Sequence, residues 1–199
     1  MSAAAVAIVN AAISRTGGNT ITGTDFTDGS VEANLALANY EQIVVTELES
    51  DPWRFARKTD VCTLEPDAPI DTSWDFAWTL PVDVLTLRTL FRNGQVIDYE
   101  INESGEVLTH FDDDVYAVYT YRAAESLWPS DFTEGVTRLL EALYLRLDDR
   151  FSEADMREES ARQILKRAAN THAKEEAPSD PRTFPLVAVR RTGYGNCRR

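Results

Sequence analysis

The chain has 199 residues, of which 43% are hydrophobic and 27% are charged, and its formal net charge is −13. A chain of this length and hydrophobicity buries a real core, which excludes a disordered protein and fits one domain with an elaboration or two small domains. The acidic balance excludes a general nucleic-acid binder, because such a protein needs basic residues to neutralise phosphates. It favours solubility and protein partners.

The two cysteines, Cys62 and Cys197, lie far apart in the sequence. Their spacing fits neither a disulfide framework nor a zinc site, and we expect a reducing cytoplasm as the compartment in which the chain is made. The apolar run at 3–13 is short, contains Asn10 and follows no basic segment. It therefore predicts neither a signal peptide nor a membrane span.

Two helices are predicted in the first part of the chain. The run at 3–13 consists of helix-forming residues, and Gly17 and Gly18 follow it at a position where glycine commonly ends a helix. The second helix covers 30–48, with Ser30 as its N-cap. The two helices can pack antiparallel.

The second helix is the element around which we expect the fold to be organised. Its apolar residues form two adjoining stripes, so that its hydrophobic arc is too wide for a helix that covers a core from one side. A central position in a helical bundle is therefore predicted. Pro52 ends the helix, and Trp53 and Phe55 follow as large apolar anchors. The two stripes comprise Val31, Leu35, Ala38 and Val45, and Leu37, Tyr40, Val44 and Leu48.

After the second helix the hydrophobic pattern changes to a period of two. Short alternating or β-branched runs are separated by prolines, glycines and an acidic turn at Asp112–Asp114. This pattern predicts about five to seven short antiparallel strands. Asn93 and Gly94 predict a hairpin, because a type I′ turn requires a positive φ at both central residues.

Helical periodicity returns after Pro129, where Asp131 and Glu134 resemble a capping box. A third helix with one continuous apolar face is predicted. That face comprises Phe132, Val136, Leu139, Leu140, Leu143, Leu147 and Phe151.

A fourth helix is predicted from Ser152 to about residue 176, and its apolar side is thin. Such a helix lies on the outside as a salt-bridged surface helix, or a neighbouring subunit completes it. Two ion pairs between residues one turn apart are predicted on it, Glu153 with Arg157 and Glu158 with Arg162.

The C-terminal segment differs from the rest of the chain in charge. Residues 178–199 contain five arginines and one aspartate, so their net charge is +4, and the residues before them carry −17. This asymmetry predicts an interaction arm. The arm either folds back on the acidic body of its own chain or docks on another chain.

Together these patterns predict an α+β protein, namely a four-helix bundle with an antiparallel β-region inserted between the second and third helices, and an extended C-terminal arm. The predicted boundaries are 1–56 and 129–176 for the bundle, 57–128 for the β-rich insert and 177–199 for the basic arm.

No motif marks a catalytic, cofactor or metal site, and we predict that the protein is not an enzyme. His110 and His172 have no sequence partner at catalytic or ligand spacing. Asp112–Asp114 lack the glycine and the terminal glutamate of a calcium loop. Gly193 and Gly195 do not lie between a predicted strand and a predicted helix, as a nucleotide-binding loop would.

Five short motifs occur in a characteristic order along the chain. They are Gly17–Gly18 followed by Ile21, WRFA at Trp53–Ala56, LPVDVL at Leu80–Leu85, YTYR at Tyr119–Arg122 and WPSDF at Trp128–Phe132. In this order and spacing they resemble the head-to-tail adaptor (connector) proteins of tailed bacteriophages, most of all the tail tubular protein A group of short-tailed phages. The resemblance extends from residue 3 to about residue 176 and has no counterpart for the arm.

The resemblance implies a structural protein of the virion neck or tail, assembled in the host cytoplasm. Copies would form a ring, commonly a dodecamer, that binds the portal protein on one side and the tail nozzle or a tail protein on the other. DNA would pass through the ring without specific binding, and no cofactor or membrane is implied. In the arm, the predicted portal contacts are Arg182, Phe184, Leu186, Val187, Arg190 and Arg191.

Two other classes of function remain open on the residues alone. A small intracellular binding module would use the arm for regulation. A carboxylate-based hydrolase would require two carboxylates across a cleft, and the sequence marks out no such pair.

Overall fold

The computed structural model describes residues 2–174, and within them the protein is α+β with four α-helices and two antiparallel sheets. The helices are α1 (Ala3–Thr16), α2 (Val31–Ser50), α3 (Ser130–Leu147) and α4 (Phe151–Lys174). The strands are β1 (Arg57–Val61), β2 (Thr63–Leu64), β3 (Phe76–Thr79), β4 (Val84–Arg92), β5 (Gln95–Val96), β6 (Glu100–Ile101), β7 (Val107–Thr109) and β8 (Tyr116–Tyr121). No helix among these residues is long and apolar enough to span a membrane.

Local sequence signals set the ends of α1 and α2 as predicted. The Ser30 hydroxyl accepts a hydrogen bond from the Ala33 N–H at 3.1 Å and so caps α2. Gly17 ends α1 with a φ of 88°, a left-handed conformation that glycine adopts without a steric penalty. The α2 helix ends at Ser50, before Pro52.

The start of α3 differs from the prediction. The helix begins at Ser130, and Pro129 occupies its N-cap position without a side-chain cap. The predicted capping box between Asp131 and Glu134 is therefore wrong. Glu134 instead pairs with Arg15 of α1 at 2.9 Å, because α1 packs directly against α3.

One of the two predicted ion pairs on α4 is also wrong. Glu158 and Arg162 form the predicted pair. Glu153, however, pairs at 2.5 Å with Arg150, which lies in the turn before α4. Arg157 instead faces a buried carboxylate on α3, described below.

The central helix is α3, which packs against α1, α2 and α4. The prediction that α2 is central is wrong, because α2 buries only one side, against α3, β4 and β8. Val31 and Leu37 of α2 remain 62% and 53% exposed. The buried side of α2 comprises Ala33, Ala36, Tyr40, Val44 and Leu48.

The strands form two four-stranded sheets. In sheet A the order is β1-β8-β4-β5, and in sheet B it is β2-β3-β7-β6. The chain passes from β1 in one sheet to β2 in the other through Cys62, whose N–H donates to the Val115 carbonyl at 2.9 Å. The eight strands of the described chain exceed the five to seven predicted, because three of them have only two residues and leave no periodic signal.

The predicted hairpin at Asn93–Gly94 is confirmed, with φ values of 51° and 76° in the turn between β4 and β5. The core between the sheets includes Trp78, Leu90 and Tyr119. A larger core lies among the helices. Tyr121, the last residue of β8, packs against both cores and so joins them.

The contact between α3 and α4 depends on small residues. Ala154, Ala161 and Ala168 of α4 are buried. On α3, a Cβ added at Gly135 would lie 2.5 Å from Cγ and Cδ2 of Leu165. The two helices therefore approach closely only because position 135 has no side chain.

We expect Gly135→Ala to destabilise the protein by about 1–2 kcal/mol, because the added methyl group displaces Leu165 from a packed core. In an unhindered helix the same change stabilises by about 1 kcal/mol, so the sign of the effect reports the close contact. Urea unfolding measures this change in the free energy of unfolding. In a Leu165→Ala background, Gly135→Ala should no longer destabilise the protein. Destabilisation that persists in that background would contradict this explanation.

Candidate interaction surfaces

Four of the five sequence motifs meet where the helices join sheet A. An aromatic cluster forms the centre of this junction and combines residues of the WRFA and WPSDF motifs. The centre of the Phe132 ring lies 4.8 Å from the centre of the Trp53 ring, 4.9 Å from that of Phe55 and 5.0 Å from that of Trp128. All three contacts are edge to face. The prediction that Trp53 and Phe55 act as apolar anchors is confirmed.

Arg122, the last residue of the YTYR motif, organises the polar side of the junction. Its guanidinium binds the carboxylates of Glu41 and Glu125, each at 2.7 Å, and lies 5.4 Å from the centre of the Trp128 ring. The Tyr40 hydroxyl also donates to Glu125, at 3.2 Å. One arginine thus connects α2, the end of β8 and the segment before α3.

The LPVDVL motif contributes Asp83, whose carboxylate binds two groups of sheet A. It accepts a hydrogen bond from the Tyr119 hydroxyl at 2.6 Å and pairs with Lys58 Nζ at 2.9 Å. These two hydrogen bonds hold the pKa of Asp83 below its usual value. Burial, and then the hydrogen bond to Asp83, raises the pKa of Tyr119 to about 12. The motif residues therefore stabilise the fold.

A buried carboxylate links three helices. Glu141 of α3 is 1% exposed, and its oxygens lie 2.7 Å from Arg15 of α1 and 3.5 Å from Arg157 of α4. Arg138 lies 3.9 Å away on α3 itself. A carboxylate in such a position is stable only with these partners, because an unpaired buried charge is costly.

Among residues 2–174 no group of three His, Cys, Asp or Glu side chains is placed to hold a metal ion. His110 is exposed, pairs with Asp75 at 2.8 Å and stacks on Trp74. Cys62 is buried, which raises the pKa of its thiol to about 11 and keeps it protonated at neutral pH.

A small cleft lies between α1, α2 and α3. Its volume is about 20 Å³, enough for one water molecule. It is too small for an organic substrate. The lining residues are Ile13, Thr16, Gly18, Glu32, Tyr144, Leu147 and Asp148.

The first exposed apolar surface lies on α2. Val31, Leu37 and Ala38 face solvent. The helix contains four glutamates and no lysine or arginine over its whole length, Val31–Ser50. The exposed side of α2 therefore combines three apolar residues with polar and acidic ones.

The second exposed apolar surface is a row of four side chains across sheet A. In the strand register, Val61 pairs with Tyr116, Tyr116 with Phe91, and Phe91 with Val96. Directly paired residues point to the same face of a sheet. Val61, Tyr116 and Val96 are 52%, 41% and 65% exposed. We call these four residues the outer row.

The outer row continues along the same side of sheet A. One residue further along each strand, Leu90 and Ala117 point into the core between the sheets. Two residues further along, Thr59, Val118 and Thr89 pair with each other on the same side as the outer row. We call these seven residues the outer face of sheet A. None of them is charged, Val118 among them is buried, and the same side of the sheet continues to Arg57, which pairs with Thr120.

Sequence reasoning missed this face. Its residues come from four separate segments, and only the register of the strands places them side by side. The six arm residues predicted to contact a portal, Arg182, Phe184, Leu186, Val187, Arg190 and Arg191, lie outside the described residues.

Comparison of the sequence with models of protein families gives no match, and comparison with curated proteins gives none either. The functional interpretation therefore depends on the residues and surfaces described above.

We expect Glu141→Gln to destabilise the protein by about 2 kcal/mol, because it removes the charge that binds the arginines of three helices. Thermal and urea unfolding measure the loss. Glu153→Gln is the matched control, since Glu153 and its partner Arg150 are both exposed, and it should leave stability unchanged. Equal losses for the two variants would refute a special role for the buried carboxylate.

The raised pKa of Tyr119 predicts that the folded protein loses stability at high pH. Its folded pKa of about 12 lies above the usual value of about 10, so its contribution is complete below pH 10 and is lost as the pH rises from about 10 to 12. Tyr119→Phe should therefore lose less stability over this range than the natural protein. The measurement is the urea midpoint against pH, with the exposed Tyr116→Phe as control. Parallel curves for Tyr119→Phe and the natural protein would contradict the assignment.

Proposed function

We propose that this protein is a structural head-to-tail adaptor of a bacteriophage virion. It forms a ring beneath the portal protein, joins the portal to the tail or nozzle, and lets DNA pass through its centre. One observation carries the proposal: four motifs that resemble those of adaptor proteins are linked by successive contacts, WRFA with WPSDF, WPSDF with YTYR, and YTYR with LPVDVL.

The arrangement of the elements supports the same proposal. α3 contacts the other three helices, and all strands of the described chain lie between α2 and α3 in sequence. We therefore propose that the helices act as one four-helix bundle, made of 1–56 and 129–176, which carries 57–128 as a β-rich insert.

The exposed apolar surfaces suit a subunit of an assembly. The apolar side of α2 and the outer face of sheet A are different surfaces on different elements. When two different surfaces of one chain bind each other between copies, the contact is heterologous and closes into a ring if the rotation permits. A subunit that must also bind a portal and a tail protein needs such additional surfaces.

The charge of the chain suits a conduit for DNA. The net charge is −13, and an acidic channel wall repels phosphates, so that DNA slides instead of binding. The arm has the opposite charge. We propose that the arm grips the portal and that α4 contributes to lateral contacts between subunits. The arm residues proposed for this grip are Arg182, Phe184, Leu186, Val187, Arg190 and Arg191.

The outer face of sheet A is also compatible with a small intracellular binding module. Such a module would remain small in solution and would bind its target without a portal. The solution mass of the protein distinguishes the two functions.

We expect the purified protein to form a multi-copy ring on a purified portal protein from the same genome, as measured by native mass spectrometry of each protein alone and of the mixture. A chain that ends at residue 177 should lose this binding, because it lacks the basic apolar arm, and should keep the circular dichroism spectrum of the full chain.

The matched control is Cys197→Ser, a change in the arm outside the six proposed contacts, which should bind as the natural chain does. A monomer or dimer that ignores the portal would refute the adaptor function. Binding that survives the truncation would refute only the role of the arm.

A further inference from the structure

We propose that the outer face of sheet A is the docking site for residues 184–191 of the same chain. This segment lies outside the described residues. The inference concerns the single chain in the absence of a portal, in which the arm residues proposed to grip the portal bind their own chain.

The outer face has the chemistry of a surface that another segment covers. The outer row places two aromatic and two valine side chains in line across four strands, with Thr59, Val118 and Thr89 beside them. Within 178–199, the matching run is FPLVAV at 184–189, which is continuous and uncharged. An uncharged β-rich face and an uncharged β-branched segment exclude water from each other without burying a charge.

The end of the described chain lies close to this face. In α4, the His172 ring is 5.9 Å from the Trp53 ring and 6.2 Å from the Phe55 ring. Phe55 lies two residues before β1. The C-terminal end of α4 is therefore beside the first residue of an edge strand of sheet A.

The connecting segment is long enough to reach the outer row. Nine residues, 175–183, separate α4 from the apolar run, and they span up to about 30 Å when extended. The outer row crosses β1 at Val61, four residues from Arg57, a distance of about 13 Å along the strand. The run therefore reaches the row without strain.

The charges that follow the apolar run are opposite to those at the end of sheet A. Arg190 and Arg191 follow the apolar run. A segment that enters from the junction and lies across the outer row brings these arginines to the end of sheet A where Asp112–Asp114 are exposed, just before β8. Arg92 already binds Asp113 there at 2.6 Å, and the triplet supplies two further carboxylates.

Attachment to the same chain favours this occupant over a separate molecule. A short flexible connection holds a tethered segment at a local concentration in the millimolar range. Docking of its own segment is therefore independent of the protein concentration, whereas docking of a second copy is not.

The test measures how fast a thiol in the outer row reacts with an iodoacetamide dye. Val96→Cys introduces the thiol in a Cys197→Ser background, and Cys62 stays buried. We expect labelling about tenfold slower in the full chain than in a chain that ends at residue 177, which corresponds to a face covered for about nine tenths of the time. The double change Leu186→Asp and Val187→Asp in the full chain should restore the fast rate.

The matched control is Ile70→Cys, a fully exposed apolar position in the loop between β2 and β3, which should label equally fast in both chain lengths. Circular dichroism verifies that each variant is folded. Equal rates at position 96 in the full and shortened chains would overturn the proposal. Protection that increases with protein concentration would also overturn it and would assign the occupant to a second copy. No portal is present, so the result is separate from the test of the adaptor function.

Discussion

The edge-to-face contact of Trp53 with Phe132 joins the two halves of the helical part that the strands separate in sequence, because it packs the segment between α2 and β1 against the first turn of α3. The Trp53 indole N–H donates to the Glu47 carbonyl at 2.6 Å, so the ring also fixes the end of α2. The end of α4 packs on the same ring through His172. An aromatic pair contributes about 0.5–1.5 kcal/mol beyond the area that it buries.

The buried charged groups at the junction and in the helical core are paired, whereas apolar side chains on α2 and sheet A are exposed. Arg122 binds two carboxylates, and Glu141 lies among arginines of three helices. The exposed side of α2 and the outer face of sheet A have no such local partner among the described residues. A protein that satisfies its buried charges and leaves apolar surfaces exposed is suited to binding other protein segments.

Local chemistry made several elements predictable. Ser30 capped a helix, Asn93 and Gly94 formed a hairpin, and Trp53 became buried, because each outcome depends on a few neighbouring residues. The errors arose where a distant residue competed with a local one. Glu134 was expected to cap α3 and instead binds Arg15, which lies more than 100 residues away in the sequence. Arg157 was expected to pair along α4, but the buried carboxylate of Glu141 is the stronger partner.

The sequence by itself determined that the protein is α+β, where most helices begin and end, and that its C-terminal arm is basic and its body acidic. Hydrophobic period, capping residues and charge are properties of short segments, and so they can be read without a fold. Only the tertiary structure decided which helix is central and which strand residues lie side by side. Val61, Phe91, Val96 and Tyr116 form one row because of the strand register, and a shift by one residue would turn each side chain to the opposite face. Register depends on contacts between distant segments, and therefore no short stretch of the sequence contains it.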